Sequence, residues 1–221
     1  MKGSFLSALV FDFGGPVLLT PFELRKQGEQ RLGLPPGSFN WAGPFDPESD
    51  ADWQAFQAGE MNEREYWKLQ VDRFAELVGH PATMPEMMAP LYAGPESELV
   101  RPGALALLND ARAAGIPVGM LTNDLTAFHD AGWIERMTVI KLFDAMVDGK
   151  QDSVHKPDPE AYLLMCARLN VPLEGTVFID DQPVNVRSAE SLGMIAIHLD
   201  PRDPEPGYQA ARAALSLLPL H

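Results

Sequence analysis

Four polar clusters stand out for the chemistry they could do together: Asp12, Thr122-Asn123, Lys156 and Asp180-Asp181. They comprise three carboxylates, one ammonium, one hydroxyl and one amide, a set rich in oxygen and free of sulfur. In a small volume the carboxylates would repel one another unless a cation sat among them. Hard oxygen donors suit Mg²⁺. Lys156 would neutralise charge on a phosphoryl group, and Thr122 and Asn123 could hydrogen-bond its oxygens; clamps of this kind promote phosphoryl transfer. Taken singly, each cluster has a plainer reading as a strand-end turn, a helix cap, a surface loop or a solvated turn. Their placement relative to one another is what favours chemistry.

That placement depends on the elements around them. Residues Phe5 to Phe11 are mostly apolar, as expected of a strand buried on both faces of a parallel sheet. They run into Asp12-Phe13-Gly14-Gly15-Pro16, a turn signal directly after a carboxylate. A helix is expected from Pro102 to Ala114, with Gly115 as its stop. A strand over 116–121 then ends at Thr122-Asn123-Asp124. Further strands are expected over 143–147, 176–179 and 194–199, the third of these four leading into Asp180-Asp181. Asp158-Pro159-Glu160 opens a helix with Asp158 as its N-cap, and another helix runs from about Pro183 to Gly193. This alternation predicts an α/β fold built on a doubly wound parallel sheet. Strands of such a sheet point one way, and ligands bind beyond their carboxyl ends.

The stretch between the first strand and residue 100 carries helix signals only. Asn62-Glu63-Arg64-Glu65 reads as a capping box. Trp67, Val71, Phe74 and Val78 follow at helical spacing, a packing stripe stopped by Gly79. The expected organisation is a core of residues 1–20 and 98–221 with a small helical cap domain inserted over 21–97. Trp41, Trp53 and Phe56 could line an apolar pocket in the cap or simply pack within it.

Composition narrows the partners. The chain has 221 residues and a formal net charge of −14, and its 17 basic residues form no run. Nucleic acid and anionic membrane surfaces are therefore not expected partners. A phosphorylated small molecule would need a local metal or cationic pocket to enter. The apolar N-terminal stretch is too short to span a membrane and shows no cleavage pattern, so a cytoplasmic enzyme, monomeric or homodimeric, is expected. The single cysteine, Cys166, lies in an apolar helical stretch and reads as a buried hydrophobe.

Phe11-Asp12-Phe13-Gly14-Gly15, Met120-Leu121-Thr122-Asn123, His155-Lys156-Pro157-Asp158-Pro159 and Phe178-Ile179-Asp180-Asp181 resemble, in order, the four motifs of the haloacid dehalogenase-like hydrolase superfamily. Gly149 before Lys156, and Asn185 and Gly193-Met194 after Asp181, add to the likeness. The resemblance covers the whole expected core, and the insert falls where that family places a helical cap. It implies a phosphatase in which Asp12 attacks phosphorus to form an aspartyl-phosphate. Asp12, the backbone carbonyl of Gly14 and Asp181 would bind Mg²⁺, with Asp180 as a supporting acid. Thr122, Asn123 and Lys156 would hold the phosphoryl group. Asn185 stands where many relatives keep a further outer-shell acid.

The chain departs from that pattern at two positions. Most phosphatases that it resembles carry an acid two residues after the nucleophile, which protonates the leaving group and later activates water. Here that position is Gly14. Pro16 also replaces a small hydroxyl or aliphatic residue. Either Glu23 or another cap carboxylate supplies the acid, or the leaving group needs no proton, or the protein binds without turnover. A 2-haloacid-type dehalogenase and an inactive binding or regulatory protein are the alternative readings. Against the first stand Gly14 and the Asp180-Asp181 pair, and against the second stands the joint presence of Asp12, Lys156 and Asp181.

Overall fold

The computed structural model describes residues 8–217. They fall into two compact units, one from residues 8–19, 96–126 and 131–217, the other from 20–95 and 127–130.

The first unit holds a five-stranded, all-parallel sheet with strand order β3-β2-β1-β4-β5, made of β1 (Leu9–Phe11), β2 (Val118–Thr122), β3 (Ala145–Asp148), β4 (Val177–Asp180) and β5 (Ile195–His198). After β1 the chain builds outward to β2 and β3, then returns to lay β4 and β5 on the other side. The reversal therefore falls between β1 and β4, where an open α/β sheet leaves a crevice beyond its carboxyl ends. Phe11 pairs with Met120 on one side and Ile179 on the other, which brings Asp12 level with the ends of β2 and β4. The apolar content of the three central strands follows from their burial on both faces. Val10, Leu121, Val147 and Phe178 join Tyr162, Met165 and Cys166 of the helix Pro159–Leu169 in one core cluster. Cys166 is buried as expected, and burial raises its thiol pKa.

Several expected elements shift by a residue or two. Of the first strand, residues 5–7 lie outside the described residues. The strand expected over 143–147 begins at Ala145. Phe143 instead closes a 3₁₀ turn, Thr138–Leu142, and sets its ring edge against Phe11 and Phe13 at 6.3 and 6.5 Å. The Asp144 carboxylate accepts from the Val118 amide at 2.8 Å, which fixes where pairing starts. The helix Glu205–Ala214, which is not among the expected elements, buries Tyr208 against Gly103. A Cβ on Gly103 would stand 2.5 Å from the Tyr208 ring.

The second unit is helical, with helices Pro21–Leu32, Ala51–Ala58, Glu63–Val78 and Met84–Met88. Asn62 and Glu65 form the expected capping box, and Thr20–Glu23 and Thr83–Glu86 form two more. The aromatic residues pack among themselves. Phe39 stacks on Trp41 at 4.5 Å, Phe22 meets Trp53 at 5.1 Å, and Trp53 meets Phe56 at 5.2 Å. Residues 127–130, placed in the core by the sequence, join this unit because Phe128 sets its ring on Trp67 and His129 on Tyr92.

Asp50 organises this unit's interior. One carboxylate oxygen accepts from the Ala42 and Gly43 amides and the Tyr66 hydroxyl, and the other accepts from the Trp53 amide. Burial pushes its pKa up, but the hydrogen bonds from Gly43, Trp53, Ala42 and Tyr66 outweigh it and hold the carboxyl below its ordinary value. The ionised form is the one the fold favours. Its contribution is therefore complete above the ordinary carboxylate range and is lost as pH falls through the lowered pKa. Asp50→Asn is expected to cost about 1–3 kcal/mol in urea unfolding at neutral pH. The difference from wild type should narrow below about pH 4.

Candidate active site

The site is assembled at the carboxyl edge of β1, β2 and β4. Asp12 follows β1, Thr122 ends β2, Asp180 ends β4 and Asp181 comes next. Lys156 reaches the same place from the loop before the helix Pro159–Leu169. Its ammonium lies 2.8 Å from Asp12 Oδ1 and 2.6 Å from Asp180 Oδ2, with 1% of its side chain exposed. It also sits 5.6 Å from the centre of the Phe178 ring. Burial by itself works against its charge, but Asp12 and Asp180 outweigh that and hold the ammonium protonated.

Asp12 Oδ1 additionally accepts from the Phe13 amide at 2.7 Å. Both contacts fall on one oxygen, Oδ1. Burial pushes Asp12 up to about 7, with Lys156 pulling it down and Asp180 pushing it up again. A further positive charge beside it would favour the ionised form.

Asp180 is wholly buried and its oxygens are shared. They accept from Lys156 Nζ, from the Gln182 amide at 2.8 Å, and from Asn185 Nδ2 at 3.1 Å to each oxygen. It is the counter-charge of Lys156 before it is anything else. Asn185 is held in turn by the Tyr162 hydroxyl, which donates to its carbonyl at 2.9 Å. The position noted in the sequence as lacking an acid thus supplies two hydrogen bonds to Asp180.

Thr122 is buried at the end of β2, in register with Asp148. The Asn123 side chain turns to the backbone of Lys156. Its Oδ1 accepts from the Lys156 amide at 2.8 Å and its Nδ2 donates to the Lys156 carbonyl at 3.1 Å. The amide that the sequence offered as a phosphate ligand therefore braces the lysine loop. Gly149 allows this close packing, since a Cβ there would stand 2.5 Å from the His155 ring and 2.7 Å from the Asn123 carbonyl oxygen.

Asp12, Asp180 and Asp181 each offer a carboxylate oxygen, all within 4.8 Å of one another. The donors are oxygens only, which fits a hard cation. The turn after Asp12 is shaped around Asp181. Gly15 has φ +94°, and a Cβ on it would stand 2.7 Å from the Asp181 carboxyl carbon. Gly14, by contrast, is exposed, and a Cβ there would meet nothing within 4 Å.

Sequence reasoning missed the residues that hold this turn. Arg101 Nε donates to the Gly15 carbonyl from 86 residues away, and the Tyr208 hydroxyl donates to the Pro16 carbonyl at 2.8 Å from 192 residues away. No local pattern marks either one. Gly15→Ala is expected to push the Asp181 carboxylate out of place and impose backbone strain. A lower thermal midpoint, together with weaker binding of a divalent cation by titration calorimetry, would register both effects.

A family model described as haloacid dehalogenase-like hydrolase matches residues 7–193. The chain is 27% identical to mouse (Mus musculus) acyl-CoA dehydrogenase family member 10, over 97% of this chain and 19% of that protein. It is 25% identical to validoxylamine A 7'-phosphate phosphatase of Streptomyces hygroscopicus subsp. limoneus, over 58% of this chain and 56% of the relative. In both cases the match spans less than two thirds of the relative's own length. Among solved structures, a HAD phosphatase from Thermococcus onnurineus superposes with a TM-score of 0.60 at 17% identity, covering 97% of this chain and all of that one. At that identity the likeness carries the fold alone. The family model spans most of the chain and includes all four polar clusters, so the chain belongs to the haloacid dehalogenase-like hydrolase family.

Proposed function

We propose that this protein is a Mg²⁺-dependent phosphatase acting on a small phosphorylated molecule, with Asp12 as its nucleophile. One observation carries the reading: Asp12 Oδ1 is held by the Lys156 ammonium and the Phe13 amide, which leaves Oδ2 as the nucleophile beside two further carboxylates. A phosphatase among the similar proteins supports it.

Asp12, Asp181 and the Gly14 carbonyl would hold the cation, with Asp180 close by. The bound cation supplies positive charge that offsets the carboxylates and the phosphoryl oxygens. Asp12 Oδ2 attacks phosphorus as the bond from phosphorus to the leaving oxygen breaks, giving an aspartyl-phosphate. Lys156, kept charged between Asp12 and Asp180, stabilises the equatorial oxygens. The Thr122 hydroxyl donates to one of them. Asn123 contributes by holding the lysine loop in place. Water then releases inorganic phosphate and restores the Asp12 carboxylate. Residues 21–97, the cap in this reading, would choose the substrate.

A panel of phosphorylated sugars and other small phosphate monoesters and acyl phosphates, assayed with Mg²⁺ and with EDTA, tests the proposal. Wild type should release phosphate only with the metal, and Asp12→Asn should lose about 10³-fold or more in kcat/KM. Equal activity in Asp12→Asn would sink the reading. Halide release that survives EDTA would favour carbon–halogen chemistry at Asp12 instead.

A further inference from the structure

We infer that Tyr208 is a positioning residue: with Arg101 it fixes the turn after Asp12 against Asp181 and so sets how tightly the site holds a divalent cation. The inference rests on the cation site of the phosphatase reading above and adds to it a helix remote in the chain.

The turn runs from Phe13 to Leu18, and its carbonyls show how it is held. The Phe13 carbonyl accepts from the Val17 and Leu18 amides, the Leu18 carbonyl from the Gly15 amide at 3.0 Å, and the Val17 carbonyl from the Arg101 amide at 2.8 Å. The Gly15 and Pro16 carbonyls are met by side chains. Arg101 Nε donates to the first at 2.5 Å and the Tyr208 hydroxyl to the second at 2.8 Å. Among the described residues, the Gly14 carbonyl is left as the one in the turn that accepts no hydrogen bond. It is also the turn oxygen that the reading gives to the cation. Pro16 is buried, and buried backbone carbonyls need a partner, so removing the Tyr208 hydroxyl frees the Pro16 peptide to move.

The position of the turn matters because of what it touches. Gly15 abuts Asp181 so closely that a Cβ would lie 2.7 to 2.9 Å from the three carboxyl atoms. A small shift of the turn therefore changes the room left to that carboxylate. The Asp181 backbone is anchored separately, by His198 of β5, whose Nε2 lies 3.0 Å from the Asp181 carbonyl. Its carboxylate is placed by the turn.

Tyr208 is itself firmly seated. Its ring, 2% exposed, lies over Gly103, where a Cβ would stand 2.5 Å from the ring. The buried Arg212–Asp110 ion pair fastens the helix Glu205–Ala214 to the helix Pro102–Ala113. Ring and ion pair dock the helix, and the hydroxyl reaches beyond them to the turn. A phenylalanine would dock as well and would release Pro16.

The test compares the full chain with Tyr208→Phe and Ala211→Gly, by thermal unfolding and by Mg²⁺ titration calorimetry well below the midpoint. Tyr208→Phe is expected to raise the Mg²⁺ dissociation constant about tenfold, the effect of losing an outer partner of a metal site. Phosphate release by this variant should recover as Mg²⁺ is raised. Ala211→Gly loosens the same helix through backbone entropy but keeps the hydroxyl. It should lower the midpoint and leave the dissociation constant where it was. If Tyr208→Phe does not fold, Arg101→Lys, which withdraws Nε from Gly15, carries the same expectation. An unchanged dissociation constant in Tyr208→Phe, or an equal weakening in Ala211→Gly, makes the role merely structural and overturns the inference. Calorimetry needs no turnover, so the two readings separate. A wild type that binds Mg²⁺ and hydrolyses no phosphate loses the phosphatase reading, while weaker binding in Tyr208→Phe still supports this inference. A wild type that binds no Mg²⁺ overturns both.

Discussion

The buried ammonium of Lys156 between Asp12 and Asp180 is the contact on which the core of this protein turns. Removing three charges from water costs several kcal/mol per ion unless each finds close partners. The fold supplies those partners from every direction. The Phe13 amide donates to Asp12, the Gln182 amide and the Asn185 side chain donate to Asp180, and Asn123 grips the lysine's own backbone on both sides. Removing the lysine would leave two carboxylates buried and facing each other. The arrangement is stable only as a set.

The set is also incomplete in charge. Asp12, Asp180 and Asp181 against one ammonium leave two negative charges within a few ångströms. A divalent cation would balance that excess. The oxygen donors that surround Lys156 thus also suit a hard cation, and burial together with Asp180 raises the Asp12 pKa to about 7 against the pull of Lys156. Beside it, Gly15 gives way to the Asp181 carboxylate and Gly14 leaves open space.

The second unit solves a similar problem with different means. Its buried carboxylate Asp50 is satisfied by three backbone amides and a tyrosine hydroxyl rather than by a cation. Around it the aromatic rings pack on one another. Trp41 and Trp53 lie inside that packing, and Phe56 sits beside Trp53. Hydrogen-bonded burial of a charge and ring packing together hold a small unit that has little aliphatic core.

The sequence by itself determined the strand–helix alternation, the parallel sheet, the capping box at Asn62 and the residues at the strand ends. These depend on periodicity, turn chemistry and local hydrogen bonds, which are written within a few residues of one another. Asp12, Thr122, Lys156, Asp180 and Asp181 were all legible because a parallel sheet sends its carboxyl ends to one edge. Tertiary structure alone decided what each side chain does there. The Asn123 side chain braces the lysine loop, Asp180 is the counter-charge of Lys156, and Arg101 and Tyr208 hold the turn after Asp12 from 86 and 192 residues away. Such roles are set by distances between side chains remote in the chain, and no local pattern encodes a distance.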